Sequence, residues 1–179
     1  AGTKSANGQT LQKDVTWTFT TPPPKVLTMI PQNQITRRDA LMFISFDQEI
    51  NPDAVLKTIA VTGGGKKLPI RLATQEEIDK DGSISYYSKQ AQPKRWLAFR
   101  VITNEGLTKD ALPADSPITV NIPKGTPSAE GPITTPKDQG YSFRTYGAMK
   151  YVGGWCSYQG SKTCTPNDTW YMQFTNPIN

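Results

Sequence analysis

Residues 125–145 read GTPSAEGPITTPKDQGYSFRT, and residues 2–21 read GTKSANGQTLQKDVTWTFTT. Gly, Thr, Ser, Ala and a closing Gly recur at an offset of 123. After one extra residue in the second copy, Lys13-Asp14 answers Lys137-Asp138, and Phe19-Thr20-Thr21 answers Phe143-Arg144-Thr145. A second echo runs from the middle to the end: LMFISFDQEIN at 41–51 against WYMQFTNPIN at 170–179. In both, an apolar and aromatic run reaches Phe46 or Phe174, and Ile-Asn follows four residues on. One echo concerns the close of a unit and the other its opening, which is the signature of tandem modules.

The organisation expected is a C-terminal hairpin of one module at 1–24, a complete module at 25–146, and the start of a third at 147–179. On that reading the chain is a fragment of a longer array.

Within 25–146 the apolar pattern is that of short strands. Lys25–Ile30 alternates and stops at Pro31, and Ala40–Phe46 is a strongly apolar run. Ala54-Val55-Leu56 and Ile59-Ala60-Val61 flank a turn into a third strand that ends at Gly63-Gly64-Gly65, and Leu68–Leu72 reads as a fourth, at an edge because of Pro69. Trp96–Ile102 alternates Trp96, Ala98 and Arg100 against Leu97, Phe99 and Val101. Ile118–Ile122 and Tyr141–Thr145 complete the set. Between them, Thr74-x-x-Glu77 is a capping box, and Ile84, Tyr87, Ser88 and Ala91 fall at helical spacing. The expected fold is all-β: an immunoglobulin-like β-sandwich with a short helical insertion, flanked by partial neighbours.

Composition narrows the chemistry. Among 179 residues there is no His, which removes Ser-His-Asp and Cys-His catalysis, imidazole acid–base work and His-based zinc ligation together. The net charge of +5 is spread over single or paired cations such as Arg37-Arg38, Lys66-Lys67 and Lys94-Arg95. Such spacing suits a solvated surface rather than a nucleic-acid partner. No apolar stretch is long enough to span a bilayer, so direct membrane insertion is not expected.

Each candidate site has a plainer reading beside it. Asp79-Lys80-Asp81-Gly82-Ser83 has the look of a calcium loop, but the residue at the twelfth position is Gln90 rather than Glu. A solvated turn between helical pieces suits it better. Gly63-Gly64-Gly65-Lys66-Lys67 lacks the Ser or Thr that a phosphate-binding loop needs after its Lys, and reads as a hairpin turn. Glu76, Glu77, Asp79 and Asp81 could supply a carboxylate pair, yet they cluster on one polar helical segment and read as a solvated face. Trp17 and Trp96 fall in strand patterns and are expected in the core; Trp155 and Trp170 flank the cysteine loop and are expected to pack on it. Cys156 and Cys164, with Gly160 between them, match neither CxxC nor paired zinc spacing. They read as a disulfide closing a short loop in a secreted protein, against two buried thiols in a cytosolic one. No catalytic, cofactor-binding or metal-ligating residue is expected.

The segments GTPSAEG…YSFRTY, LMFISFDQEINPDAV, RLATQEEI, RWLAFR and GGWCSYQGSKTCTPNDTWYMQFTNPIN resemble the amino-terminal region of bacterial alpha-2-macroglobulin-like proteins. The resemblance spans nearly the whole chain and rests on sandwich-forming patterns rather than catalytic signatures. It implies a secreted or membrane-anchored periplasmic protein of successive macroglobulin-like sandwiches that traps proteases. Cleavage in a bait region triggers collapse, and many members then link covalently through a Cys-x-Glu-Gln thioester. Neither Cys156, followed by Ser157-Tyr158-Gln159, nor Cys164, followed by Thr165-Pro166-Asn167, fits that motif. The implied role of this segment is non-catalytic scaffold, with neighbouring macroglobulin-like domains as partners and proteases engaged only through the parent. A tandem spacer in a surface adhesin or surface layer would use the same repeat. A hydrolase would need a nucleophile, a base or a carboxylate pair in a cleft, and the sequence offers none in a recognisable pattern.

Overall fold

A computed structural model describes residues 1–156 and 163–178. Gly160 and Asn179, which figured in the sequence patterns, lie outside the described residues.

The first strand, β1 (Val26–Ile30), ends at a cis Ile30–Pro31 peptide, and a short β2 (Ile35–Thr36) follows. β3 (Met42–Phe46) is buried along its whole length, as its unbroken apolar run requires of a strand covered on both faces. Next comes helix α1 (Pro52–Thr58), where the sequence pattern suggested extended chain around Ala54–Leu56. The Asn51 side chain accepts the Ala54 N–H, Pro52 opens the first turn, and Asp53 and Lys57 suit the two ends of the helix dipole. These terminal signals outweigh the apolar triplet.

β4 (Ala60–Gly63) and β5 (Lys66–Leu68) form a hairpin through Gly64 and Gly65, whose φ of +58° and +74° suit a two-residue turn that only Gly enters freely. The expected single strand at Leu68–Leu72 is two: β5 and β6 (Ile70–Leu72), which lie at the edges of different sheets. Pro69 is where the chain crosses, since it has no N–H to continue a ladder. Helices α2 (Gln75–Lys80) and α3 (Gly82–Gln90) follow, with the capping box formed between Thr74 and Glu77. β7 (Trp96–Val101), β8 (Pro117–Ile122), β9 (Gln139–Thr145), β10 (Tyr151–Cys156) and β11 (Trp170–Phe174) complete the order.

Strand outweighs helix, with eleven strands to three helices among the described residues. One sheet has the order β1-β3-β7-β6 and a second the order β2-β9-β8-β4-β5; β10 and β11 pair alone. All pairings are antiparallel except β2 with β9. Met42, Ile44, Phe46, Leu97, Phe99 and Val101 of the first sheet share one core with Val61, Ile118, Val120, Ile122, Tyr141 and Phe143 of the second. Alternation sends Leu41, Phe43 and Ala98 to the opposite face, where Ile78 and Ile84 of the two helices cover them. Trp96 joins this second cluster, stacked on Phe43 with ring centroids 5.5 Å apart.

The repeated segments form the same hydrogen bonds. The Gly125 N–H donates to Thr135 O, and the Thr135 N–H to Thr126 O; the Gly2 N–H donates to Leu11 O, and the Leu11 N–H to Thr3 O. Gly2 and Gly125 share a φ of +89°. An isolated antiparallel bridge, Lys4 with Thr10, accompanies the first copy. Beyond it the copies diverge. Tyr141 and Phe143 are 5% and 4% exposed, whereas Trp17 and Phe19 are 77% and 82% exposed. Trp17 is therefore not a core residue here. Its alternating segment has no strand to pair with among the described residues.

At the other end, β10 and β11 repeat the register of β1 and β3. Val26 opposes Phe46 and, after one skipped residue, Thr28 opposes Ser45; Tyr151 opposes Phe174 and, after one skipped residue, Gly153 opposes Gln173. The bulge falls at the same place in both ladders. Cys156 and Cys164 are joined. The Trp155 ring stacks on Tyr171 at 5.9 Å. Trp170 lies across from Cys156 in the ladder but is largely exposed.

The bridge closes a loop beside a two-stranded ribbon, a unit with little stability of its own. A Cys156→Ser/Cys164→Ser double variant is expected to weaken the ribbon by on the order of 2–3 kcal/mol. Amide exchange should speed up across β10 and β11 while the urea midpoint of the sandwich stays where it was.

Candidate functional site: the ion-pair cleft beneath the helices

A cleft of about 830 Å³ lies between α2–α3, the end of β1 and the β2–β3 connection, lined among others by Arg37, Asp39, Glu77, Asp81 and Arg100. Its geometry starts from two strand positions. Arg71 is on β6 and Arg100 opposite it on β7, in register. Alternation places Arg100 on the same face as Trp96 and Ala98, beneath the helices. The capping box then brings Glu77, in the first turn of α2, over both guanidinium groups.

Arg71 grips Glu77 with two bonds, Nη1 to Oε2 at 2.8 Å and Nη2 to Oε1 at 2.6 Å. Arg100 Nη1 donates to Oε1 at 2.8 Å, and the Thr74 N–H donates to Oε2 at 2.9 Å. Arg100 also donates to the Asp39 carbonyl oxygen, and its Nε is buried without a partner among the described residues. The Arg71 guanidinium foremost, then the Thr74 N–H and Arg100, hold the Glu77 carboxyl well below the usual carboxylate range against the opposing effect of burial. Asp39 is likewise lowered, chiefly by its bonds from Arg37. Glu77 is thus no part of a solvated face; its side chain is only 20% exposed. Glu76 does fit that description and pairs with Lys80 on the surface. Asp79 accepts from Gln75, and Asp81 ends α2 and caps α3 by accepting the Ser83 and Ile84 N–H groups.

A general acid must hold a proton near neutral pH, and a carboxylate locked between two arginines does not. The buried Tyr141 phenol is pushed up by desolvation and donates to the Ile30 carbonyl, so it too holds its proton in place. The cluster joins a helix to two strands through side-chain bonds. It ties α2 to β6, β7 and the strand entry at Asp39.

Arg71 and Arg100 were missed from sequence. The signal was present for Arg100, a charged residue in phase with Trp96 and Ala98 on a strand. Gly63–Lys67, read as a hairpin turn, is one. No helix is long and apolar enough to cross a membrane among the described residues. A disulfide fits an oxidising compartment.

Fold and cleft together define a mostly-β module with an ion-paired cleft beneath its helices. No protein-family model matches the chain. "Circularly permutated Ras protein 2" of Dictyostelium discoideum is similar to it, 25% identical over 150 residues, which is 79% of this chain. The chain spans 4% of the length of that relative.

Proposed function

We propose that this chain is a non-catalytic scaffold segment of an alpha-2-macroglobulin-like protease-trapping protein, built of tandem immunoglobulin-like modules. The observation that carries the modular part is the β10–β11 ladder, which repeats the pairing and the bulge of β1–β3. The strand orders support an immunoglobulin-like reading: β1-β3-β7-β6 follows the A-B-E-D sheet and β9-β8-β4-β5 the G-F-C-C′ sheet, with the first strand divided so that β2 runs parallel beside the last. Residues 1–24 then supply the closing strand of a preceding module, 25–146 a whole one, and 147–179 the first two strands of the next. Exposed Trp17 and Phe19 occupy the core positions held by Tyr141 and Phe143 in the complete sandwich.

The activity in the Dictyostelium relative's name is not carried over. The match is 4% of that protein, and Gly63–Lys67, a strand-turn-strand, has no Ser or Thr after its Lys.

The trapping role is tested on the parent polypeptide. Challenge with several proteases of different specificity is expected to cut one exposed loop and then to shield the bound protease from large substrates, while residues 1–179 alone inhibit none of them. A parent without a protease-sensitive loop would sink the trapping role. Downstream sandwiches ending in a surface anchor, with no such loop, would favour the adhesin or surface-layer spacer instead.

A further inference from the structure

The complete sandwich is joined at both ends by the same contact. Upstream, the Lys25 N–H donates to Asp47 Oδ1 at 2.7 Å, the Asp47 N–H returns to Lys25 O at 3.0 Å, and the Gln48 carboxamide donates to Pro22 O at 2.6 Å. Downstream, the Lys150 N–H donates to Thr175 Oγ1 at 2.9 Å, the Thr175 N–H returns to Lys150 O at 3.0 Å, and the Asn176 carboxamide donates to Gly147 O at 2.9 Å. The register that lays β10–β11 over β1–β3 also lays Lys150 on Lys25, Thr175 on Asp47 and Asn176 on Gln48.

The residue types differ while the bonds persist. Asp or Thr supplies the accepting oxygen, and Gln or Asn the donating amide. Copying of sequence would not by itself preserve three bonds through two such changes. The linker is held from its other side as well. The Tyr146 N–H donates to Thr36 O, and Tyr146 O accepts from the Asp115 N–H. A Cβ on Gly147 would come within 3.2 Å of Asp115 Cβ. Tyr146 is therefore bound to the sandwich and Gly147, the next residue, to the ribbon. No residue between them is left to act as a swivel.

We propose that the corner after the second strand of each module, Asp47-Gln48 and Thr175-Asn176, is a docking surface whose partner is the linker leaving the preceding module of the same polypeptide. Neighbours are joined through it without a free hinge, so a movement at one end of the array is transmitted rather than absorbed. This rests on the tandem reading above.

Trypsin reports on the clamp, because Lys25 and Lys150 sit inside it and a bonded backbone resists cleavage. In the chain of 179 residues, cleavage after Lys150 is expected to be far slower than after exposed Lys13. Asn176→Ala should raise the rate at Lys150 about fivefold to tenfold, the range set by one net hydrogen bond. Asn176→Gln, which restores the amide used at the other junction, should bring the rate back, and Gln48→Ala should act at Lys25 alone. An unchanged urea midpoint of the sandwich confirms that the Asn176 variants fold, whereas Gln48→Ala also loses the bond from Ser128 Oγ to Gln48 Oε1 at 2.7 Å and should lower it while leaving a cooperative transition. If Asn176→Ala leaves the rate at Lys150 as it was, the clamp is refuted while the tandem reading stands. Cleavage at Lys150 as fast as at Lys13 in the unaltered chain, with no Tyr151–Phe174 cross-strand contact by NMR, would overturn both.

Discussion

Replacing Glu77 by Ala is expected to remove about 3–5 kcal/mol from the unfolding free energy of the sandwich, the cost of leaving a buried charge without its partner. Arg100 is the group left stranded, since its side chain is 12% exposed and its remaining bond is to one backbone carbonyl. Arg71 is about a third exposed and can turn to water, so it adds little to the loss. A Glu77→Ala/Arg100→Met double variant should recover much of the stability, because neither charge is then buried. Urea unfolding of the single and double variants at neutral pH decides the matter. Equal losses in both would mean that α2 is held by Ile78 rather than by the ion cluster.

The same pairing gives a pH dependence with a definite sign. The folded-state pKa of Glu77 lies below its unfolded value of 4.5, so its contribution is fully present above that value and is lost as pH falls toward the folded pKa. Glu77→Gln should flatten the acid limb of stability relative to the unaltered chain. The neutral amide keeps two polar atoms near Arg71 and Arg100 but has no proton to take up.

Strand phase was readable from sequence because alternation is local. Leu97, Phe99 and Val101 face the main core and Trp96 and Ala98 the helices, as their pattern required. The misreadings arose where a terminal signal or a distant partner decides. At Asn51-Pro52-Asp53 the capping residues specified a helix that the apolar Val55 disguised. At Pro69 one apolar run served two sheets, which no local pattern reveals. Glu77 looked solvated because the two arginines that bury it lie on strands that sequence alone does not bring beside α2. Trp17 had the right pattern for a core strand, but burial is a property of a strand and its neighbours together.

That last distinction yields the sharpest test of the modular reading, a pair of identical substitutions with unequal outcomes. Phe46 and Phe174 hold the same place in two matching ladders. Phe46 is 1% exposed within the main core, and Phe46→Ala is expected to cost about 3–5 kcal/mol, the usual range for a buried Phe. Phe174 packs edge-on against Tyr151 at 5.9 Å, and Phe174→Ala should cost about 0.5–1.5 kcal/mol, the scale of one aromatic pair, with no shift in the sandwich's urea midpoint. In a polypeptide continued by roughly 100–150 residues, one further domain, Phe174→Ala should rise to the cost seen for Phe46→Ala. If it stays small there, β10 and β11 open no third sandwich. If instead it destabilises the present sandwich as severely as Phe46→Ala does, the ribbon belongs to that core, and the division at residue 146 is wrong.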